Sequence, residues 1–280
     1  MKFDIDSFVN PHLKDFSEYQ SLYDDSIKDP SSFFLKQALK EIDWIEEPTK
    51  GSTGSLSSPR WFEDGILNIS YNCIDRHVET DPGKTAIIWQ GDDREKNENI
   101  SYIELQKQVC KLANGLKSIG VKKGDRVCIY MPMVPQAAYA MFACMRIGAI
   151  HSVVFGGFSP EAIKSRILDA DCHYVITANE GIRGGKKIPL KDSVDEALKD
   201  CPNIKKSVVL KYTDTEIAWN DEIDIWYHEL TEKQEDFCEC EEMAAEDPSF
   251  ILYTSGSTGK PKGVLHTTAG YLLGATLTFK

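Results

Sequence analysis

Between residues 253 and 263 the sequence reads Tyr253-Thr254-Ser255-Gly256-Ser257-Thr258-Gly259-Lys260-Pro261-Lys262-Gly263. Apolar runs flank this segment, Phe250–Tyr253 and Gly263–His266, and each predicts a short strand, the first of them buried. The segment is therefore predicted to be the tip that joins two strands. It contains three glycines, four Ser or Thr hydroxyls and two lysines in eleven residues. Because glycines let backbone amides approach an anion closely, this composition predicts a loop that binds a polyphosphate.

The loop differs from the Walker A phosphate loop in its spacing. Gly256 and Gly259 are separated by two residues, whereas the Walker motif needs four between its glycines. Lys260 is followed by Pro261, which disfavours a helical conformation at Lys260. We therefore expect a freer loop with no helix beginning under the phosphates. The alternative interpretation is a Gly/Ser-rich hairpin without a ligand.

Composition and charge disfavour several classes of protein. The chain has 280 residues, 41% hydrophobic and 27% charged, with a net charge of −12, so a nucleic-acid-binding protein with a basic face is disfavoured. The eight cysteines lie mostly in apolar segments, and Cys238-Glu239-Cys240 lacks zinc-ligand spacing, so no metal site is predicted. The N-terminus is acidic and no apolar run would span a bilayer, so we expect a cytoplasmic protein with no membrane partner.

The middle of the chain alternates between strand and helix patterns. This alternation predicts an α/β fold of parallel-type sheets with helices on both faces, in which ligands bind beyond the carboxyl ends of the strands. Residues 15–47 are predicted to form short helices, residues 51–59 a surface loop, and residues 212–248 a solvated connection. The predicted strands are 85–89, 126–130, 150–155, 173–177 and 207–210, and the predicted helices are a capped helix opening at Ser101, 135–147, one opening at Ser159, and 194–198.

Two further loops and one histidine are candidates for function. Phe155-Gly156-Gly157-Phe158 is either a tight turn or a place where a ligand approaches the backbone. The segment Gly181–Lys187 combines three glycines with Arg183, Lys186 and Lys187 on an acidic protein, which suits a phosphate, although an ordinary basic surface turn has the same composition. His77 is interpreted as a structural residue on a helix face.

Several motifs resemble one enzyme family. The segment from Ile251 to Lys262 resembles the phosphate loop of the AMP-forming acyl-adenylating enzymes. The resemblance extends from about residue 18 to residue 280 and is strongest to the acetyl-CoA synthetases. The segments that carry it are Arg60-Trp61-Phe62-Glu63-Asp64-Gly65, Tyr71–His77, Val153–Ser159, Arg183-Gly184-Gly185-Lys186 and Gly263–Leu273.

This resemblance implies a two-step ligase that uses acetate, ATP, CoA and Mg²⁺, and no nucleic acid. Acetate and ATP would give acetyl-AMP and pyrophosphate, and CoA would then give acetyl-CoA and AMP. The loop residues Thr254, Ser255, Gly256, Ser257, Thr258, Gly259, Lys260 and Lys262 would hold the ATP phosphates, and Arg183, Gly184, Gly185 and Lys186 would contact the CoA nucleotide.

The resemblance also predicts a division of the chain. Residues 1–80 would form an N-terminal helical region and residues 81–280 the first part of the AMP-binding domain. Family members continue into a mobile C-terminal domain with a catalytic lysine, which would lie beyond residue 280, so no catalytic residue is identified and the 280-residue piece is expected to be inactive alone. Two alternatives stay open, a synthetase for propionate or another short acid, and a non-catalytic nucleotide-binding protein.

Overall fold

The computed structural model describes residues 13–55, 57–254, 259 and 261–279. The helices are α1 (Phe16–Lys28), α2 (Pro30–Glu41), α3 (Arg76–Thr80), α4 (Tyr102–Ser118), α5 (Pro135–Arg146), α6 (Pro160–Asp169), α7 (Leu190–Leu198), α8 (Tyr227–Thr231) and α9 (Thr268–Thr278), and a π-helical turn, Tyr71–Asp75, precedes α3. The strands are β1 (Ser52–Ser55), β2 (Ser58–Trp61), β3 (Ile66–Leu67), β4 (Thr85–Gln90), β5 (Asn97–Ser101), β6 (Arg126–Tyr130), β7 (Ile150–Val153), β8 (Tyr174–Ala178), β9 (Gly181–Arg183), β10 (Lys186–Ile188), β11 (Lys206–Leu210), β12 (Asp224–Trp226), β13 (Met243–Ala244), β14 (Pro248–Thr254) and β15 (Lys262–Thr267).

The chain divides into two compact units. The first comprises residues 1–67, 243–247 and 267–280, and the second comprises residues 68–242 and 248–266. In the described part of the first unit, β1 and β2 form an antiparallel hairpin and β3 pairs with β13. In that unit α2 also contacts α9. The second unit holds the large sheet and all the candidate site residues that the structure describes.

The second unit is built on a seven-stranded sheet with the order β12-β11-β8-β6-β7-β14-β15. The six strands from β12 to β14 are parallel to their neighbours, so the predicted α/β fold is confirmed. Helices α4 and α5 pack on one face, and α6 and α7 pack on the other. The chain passes from β6 to β7 on one side and then returns to β8 on the other side of β6. This reversal of direction is a topological switch point, where open parallel sheets bind ligands.

Local sequence signals account for the helix boundaries. The Ser101 hydroxyl accepts from the Glu104 amide at the start of α4, and the predicted apolar positions Leu105, Val109, Leu112 and Leu116 are all buried. Helix α6 begins as predicted, with Ser159 as the N-cap and Pro160 at the first position. Gly120, which follows α4, has a φ of +96°, the left-handed conformation expected where a helix ends.

Four segments differ from the sequence-based expectation. Residues 51–59 are not a plain loop, because most of them belong to the β1–β2 hairpin. Residues 212–248 contain β12, α8 and β13, whose short apolar runs are hidden among acidic residues in the sequence. The strand Phe250–Tyr253 is only partly buried: Phe250 is buried, but Leu252, which lies on the same face of the strand, is 40% exposed, so burial ends toward the carboxyl end of the strand.

The fourth segment is strand β4. The alternating pattern places it with the strands of the parallel sheet, but it forms a separate antiparallel pair with β5. This pair ends in the hairpin tip 91–96, which lies beside the candidate site. Within the described residues, no helix is both long enough and apolar enough to cross a membrane.

Candidate functional site

A cavity of about 680 Å³ lies at the carboxyl ends of the central strands of the large sheet. Its walls come from the segments that follow β6, β7 and β8, three adjacent strands around the switch point, and from the β4–β5 hairpin. Most of the lining is apolar, with Met131, Val134, Met141 and Val153 among the walls. Arg183 and Asp92 are the two charged residues in that lining. This composition, an apolar cleft with few polar groups, is typical of a small-molecule site.

The basic turn predicted from sequence forms the β9–β10 hairpin at the edge of this cavity. Gly184 and Gly185 form its tip with φ values of +58° and +72°, which residues with side chains rarely adopt. Arg183 lies directly opposite Lys186 in the register of the hairpin, so their side chains leave the same face. The two cations are exposed and stand side by side, which suits a phosphate that needs two positive contacts.

The third cation of the turn, Lys187, is paired with a carboxylate. The Lys187 ammonium forms an ion pair with Glu180 at 3.1 Å and donates to the Thr215 hydroxyl. A hydrogen bond from Thr213, together with Lys187, lowers the pKa of the Glu180 carboxyl. Because Lys187 pairs with Ile182 across the hairpin, it lies on the opposite face from Arg183 and Lys186. The structure therefore separates two available cations from one that a carboxylate already neutralises.

The turn Phe155–Phe158 forms another wall of the cavity and is held by Tyr130 at the end of β6. The Tyr130 hydroxyl accepts from the Gly157 amide at 3.2 Å and donates to the Phe158 carbonyl at 2.9 Å. A Cβ on Gly156 would lie 2.7 Å from the Met131 carbonyl oxygen, so that position requires glycine. Gly156 also lines the cavity. The segment is therefore a tight turn, closed by a hydrogen bond from the Phe158 amide to the Phe155 carbonyl, and the approach of a ligand to its backbone stays a prediction.

The predicted phosphate loop begins and ends on adjacent strands of the sheet. Thr254 is the last residue of β14 and Lys262 the first of β15, and both are exposed. Gly259 has a φ of +81° and is also exposed. Ser255, Gly256, Ser257, Thr258 and Lys260 lie outside the described residues. In the sheet order β14 is three strand spacings from β8, or about 14 Å, so the predicted phosphate loop and the basic turn follow strands that end at the same edge.

Helix α6 contacts the residue that precedes this loop. The Tyr253 hydroxyl donates to the Asp169 carboxylate at 2.6 Å, and the Arg166 guanidinium lies over the Tyr253 ring. Burial and the hydrogen bond to Asp169 raise the pKa of the Tyr253 phenol above its ordinary value. Arg166 also lies over the ring of Phe158. The same guanidinium therefore contacts the turn beside the cavity and the strand that enters the loop.

Sequence reasoning missed Arg166, Tyr130 and Asp92. Arg166 sits in an amphipathic helix, where an arginine ordinarily faces solvent, yet it is 8% exposed. The sequence predicts Tyr130 only as a strand residue. Asp92 belongs to the acidic pair Asp92-Asp93 in a hairpin tip, a pattern typical of a solvated turn. Its carboxylate instead accepts hydrogen bonds from the Gly184 and Gly185 amides. For Tyr130, the only available signal is its position at the carboxyl end of the predicted strand 126–130.

The remaining groups considered in the sequence analysis are His77 and the cysteines. His77 lies in α3, and its ring packs against Tyr102 with the ring centroids 4.8 Å apart. The eight cysteines are free thiols, and burial raises the pKa of Cys144 and Cys172 to about 12. In the described ranges no group of three or more His, Cys, Asp or Glu side chains could hold a metal ion.

Comparison with known proteins gives two family matches that together span most of the chain. Residues 74–280 match the model of the AMP-binding enzymes, and residues 19–73 match the model of the acetyl-coenzyme A synthetase N-terminus. Acetyl-coenzyme A synthetase from Gamma-proteobacterium EBAC31A08 is 59% identical over 97% of this chain and 42% of its own length. Acetyl-coenzyme A synthetase 2 from Pseudomonas putida is 58% identical over 94% of this chain and 41% of its own length. The chain thus spans about two fifths of the length of these relatives.

A solved structure supports the fold. Acetoacetyl-CoA synthetase from Streptomyces lividans superimposes with a TM-score of 0.86 over 93% of this chain and 40% of its own chain. The sequence identity is 23%, so this likeness concerns the fold alone.

Proposed function

Since the chain belongs to the family of AMP-binding enzymes, we propose that it forms the N-terminal part of an acetate–CoA ligase. The observation that carries this proposal is the pair of cations Arg183 and Lys186 on one face of a glycine turn beside a 680 Å³ cavity. The relatives named acetyl-coenzyme A synthetase support acetate as the acid. The division into an N-terminal helical region, 1–80, and the first part of the AMP-binding domain, 81–280, belongs to the same proposal, as does a cytoplasmic location.

In the proposed first step, an acetate oxygen attacks the α-phosphorus of ATP, a new P–O bond forms, and the bond to pyrophosphate breaks. The loop that runs from Thr254 to Lys262 would hold the β- and γ-phosphates through its amides, hydroxyls and lysines. Mg²⁺ enters this proposal as part of the ATP substrate. The protein's contribution is to position the reactants and to offset the charge that develops on the phosphates.

In the proposed second step, the thiol sulfur of CoA attacks the acetyl carbon and a C–S bond forms. The bond between the acetyl carbon and the phosphate oxygen of AMP breaks, AMP leaves, and the thiol proton passes to solvent. Arg183 and Lys186 would bind a phosphate of the CoA nucleotide, and Gly184 and Gly185 would give the turn its shape. The cavity beside Arg183, lined by the turn Phe155–Phe158, would receive the extended part of CoA. Its apolar walls suit a chain that carries few charges.

The experiment uses a protein in which this chain continues to the length of its relatives. Acetate-dependent exchange of pyrophosphate into ATP reports the first step, and acetyl-CoA formation from supplied acetyl-AMP reports the second. Replacing Thr258 and Lys260 together by alanine should slow the exchange about ten- to a hundredfold, the loss expected for charge-assisted phosphate contacts, and affect the second step less. Equal losses in both steps would contradict the assignment of the loop.

A further inference from the structure

The carboxylate of Asp92 binds the backbone amides at the tip of the glycine turn. Its two oxygens accept hydrogen bonds from the Gly184 amide at 2.7 Å and from the Gly185 amide at 2.8 Å. Two successive amides that converge on one anion form the kind of concavity that elsewhere binds phosphate. These hydrogen bonds to Gly185 and Gly184 lower the pKa of the Asp92 carboxyl. Asp92 is therefore charged at neutral pH and fills this concavity.

Asp92 supports the tip of the turn from outside its own hairpin. Apart from the chain neighbours, no atom of the described residues lies within 4 Å of a Cβ built on Gly184 or on Gly185, so the tip has open space on that side. Glycine has more backbone freedom to lose than any other residue, and two in succession make a turn that is costly to order. A bidentate carboxylate supplies that order through two charge-assisted hydrogen bonds.

Asp92 is itself held in place by its own hairpin. The Gly91 amide donates to the Lys96 carbonyl at 2.7 Å and closes the tip of the β4–β5 pair. The Gln90 side-chain amide donates to the carbonyls of Asp93 and Lys96, at 3.2 and 3.1 Å. The contact with the glycine turn therefore joins two ordered hairpins that are about ninety residues apart in the sequence. Both Asp92 and Arg183 line the same cavity.

We infer that Asp92 is a positioning residue for the nucleotide end of CoA. By holding the Gly184–Gly185 tip, it keeps Arg183 and Lys186 opposite each other, with both charges available to one phosphate. Because the carboxylate already takes the two glycine amides, the phosphate is bound by the side chains of these cations and not by the backbone of the turn. This inference rests on the proposed CoA function of the turn.

The test is Asp92→Asn in the protein of full family length. Asparagine keeps the size of the side chain, but it removes the charge and replaces one accepting oxygen with an NH₂ group. The Michaelis constant for CoA should rise about three- to tenfold, because the turn must then be ordered when CoA binds. The kcat and the Michaelis constants for ATP and acetate should stay near their original values. Asp93→Asn is the matched control, because the Asp93 carboxylate accepts from the Glu95 amide within its own hairpin, and this variant should leave the Michaelis constant for CoA unchanged.

A second readout reports the contact itself. Amide hydrogen exchange at Gly184 and Gly185 should accelerate in Asp92→Asn and not in Asp93→Asn, and Asp92→Glu, which keeps the charge, should restore part of the CoA affinity. If Arg183→Ala weakens CoA use but Asp92→Asn does not, the proposed function stands and the role of Asp92 is overturned. If Asp92→Asn lowers the Michaelis constant for CoA, the carboxylate competes with the phosphate and the inference also fails. If neither Asp92→Asn nor Arg183→Ala changes CoA use, the proposed function of the turn fails and the inference fails with it.

Discussion

The guanidinium of Arg166 lies over the phenol ring of Tyr253, 5.3 Å from its centroid. The same group lies 5.0 Å from the centroid of Phe158 and donates to the Ala162 carbonyl at 2.7 Å. Arg166 is buried and contacts two aromatic rings, an arrangement in which the attraction between cation and ring is stronger than at an exposed site. Helix α6 thereby fixes both the turn beside the cavity and the strand that leads into the predicted phosphate loop.

Arg166→Ala should lower the free energy of unfolding by about 1–3 kcal/mol, because two cation–ring contacts and the packing of a buried side chain are lost. Urea unfolding followed by circular dichroism measures this change. Lys164→Ala on the same helix is the control, since its partially exposed ion pairs with Glu161 and Asp200 should contribute about 0–1 kcal/mol. An Arg166→Ala protein as stable as the control would show that the ring contacts add nothing to stability.

A second prediction concerns the buried ion pair between Arg146 and Asp75. Two hydrogen bonds of 2.8 and 2.9 Å join the guanidinium to the carboxylate, and Arg146 is 1% exposed. Removing one partner leaves a buried charge uncompensated, so Asp75→Leu alone should cost about 3–5 kcal/mol of unfolding free energy. The double replacement Asp75→Leu with Arg146→Met should cost less than the single one. Additive losses in the double-mutant cycle would contradict this account.

A third prediction concerns the pH dependence of stability at His151. Burial lowers the pKa of His151 to about 3, and its Nδ1 atom has no hydrogen-bond partner among the described residues. The ring stacks on Phe250 with the centroids 5.4 Å apart. The unfolded chain binds a proton at His151 below about pH 6.5, whereas the folded protein binds it only near pH 3. The stabilisation is therefore complete above pH 6.5 and is lost as the pH falls toward 3.

Denaturant unfolding at several pH values between 7 and 4 measures this effect. The wild-type protein should lose up to about 1.4 kcal/mol per pH unit more than His151→Phe, which preserves a ring against Phe250 but cannot be protonated. Identical slopes for the two proteins would show that His151 does not supply the pH dependence.

Much of the fold could be predicted because its signals are local. Ser159-Pro160-Glu161 marks the start of α6 with a cap, a proline and a first-turn acid, and the apolar strands of a parallel sheet are legible as continuous runs. Arg146 shows the limit of this approach. It ends an apolar helix, where a basic residue usually faces solvent, and only the tertiary structure shows that it forms an ion pair with Asp75 in the core.

Some features of the candidate site could likewise be predicted from the sequence, and others could not. The basic turn could be found because Arg183, Lys186 and the glycines between them are adjacent in the sequence. The role of Lys187 could not, because it depends on the position of Glu180 across the hairpin. The contact of Asp92 with the turn is equally invisible, since a loop about ninety residues away gives no local signal of its partner.

The central claim is that Arg183 and Lys186 bind a phosphate of CoA, and the Michaelis constant for CoA in Arg183→Ala tests it most directly. In the protein of full family length this constant should rise about ten- to a hundredfold, as expected for one charge-assisted contact, and the effect should shrink as salt increases. Acetate-dependent pyrophosphate exchange should be nearly unchanged. Lys187→Ala is the matched control and should leave CoA use unaffected, because Glu180 already neutralises Lys187. The account is contradicted if Arg183→Ala impairs pyrophosphate exchange as much as CoA use, or if Lys187→Ala weakens CoA use equally.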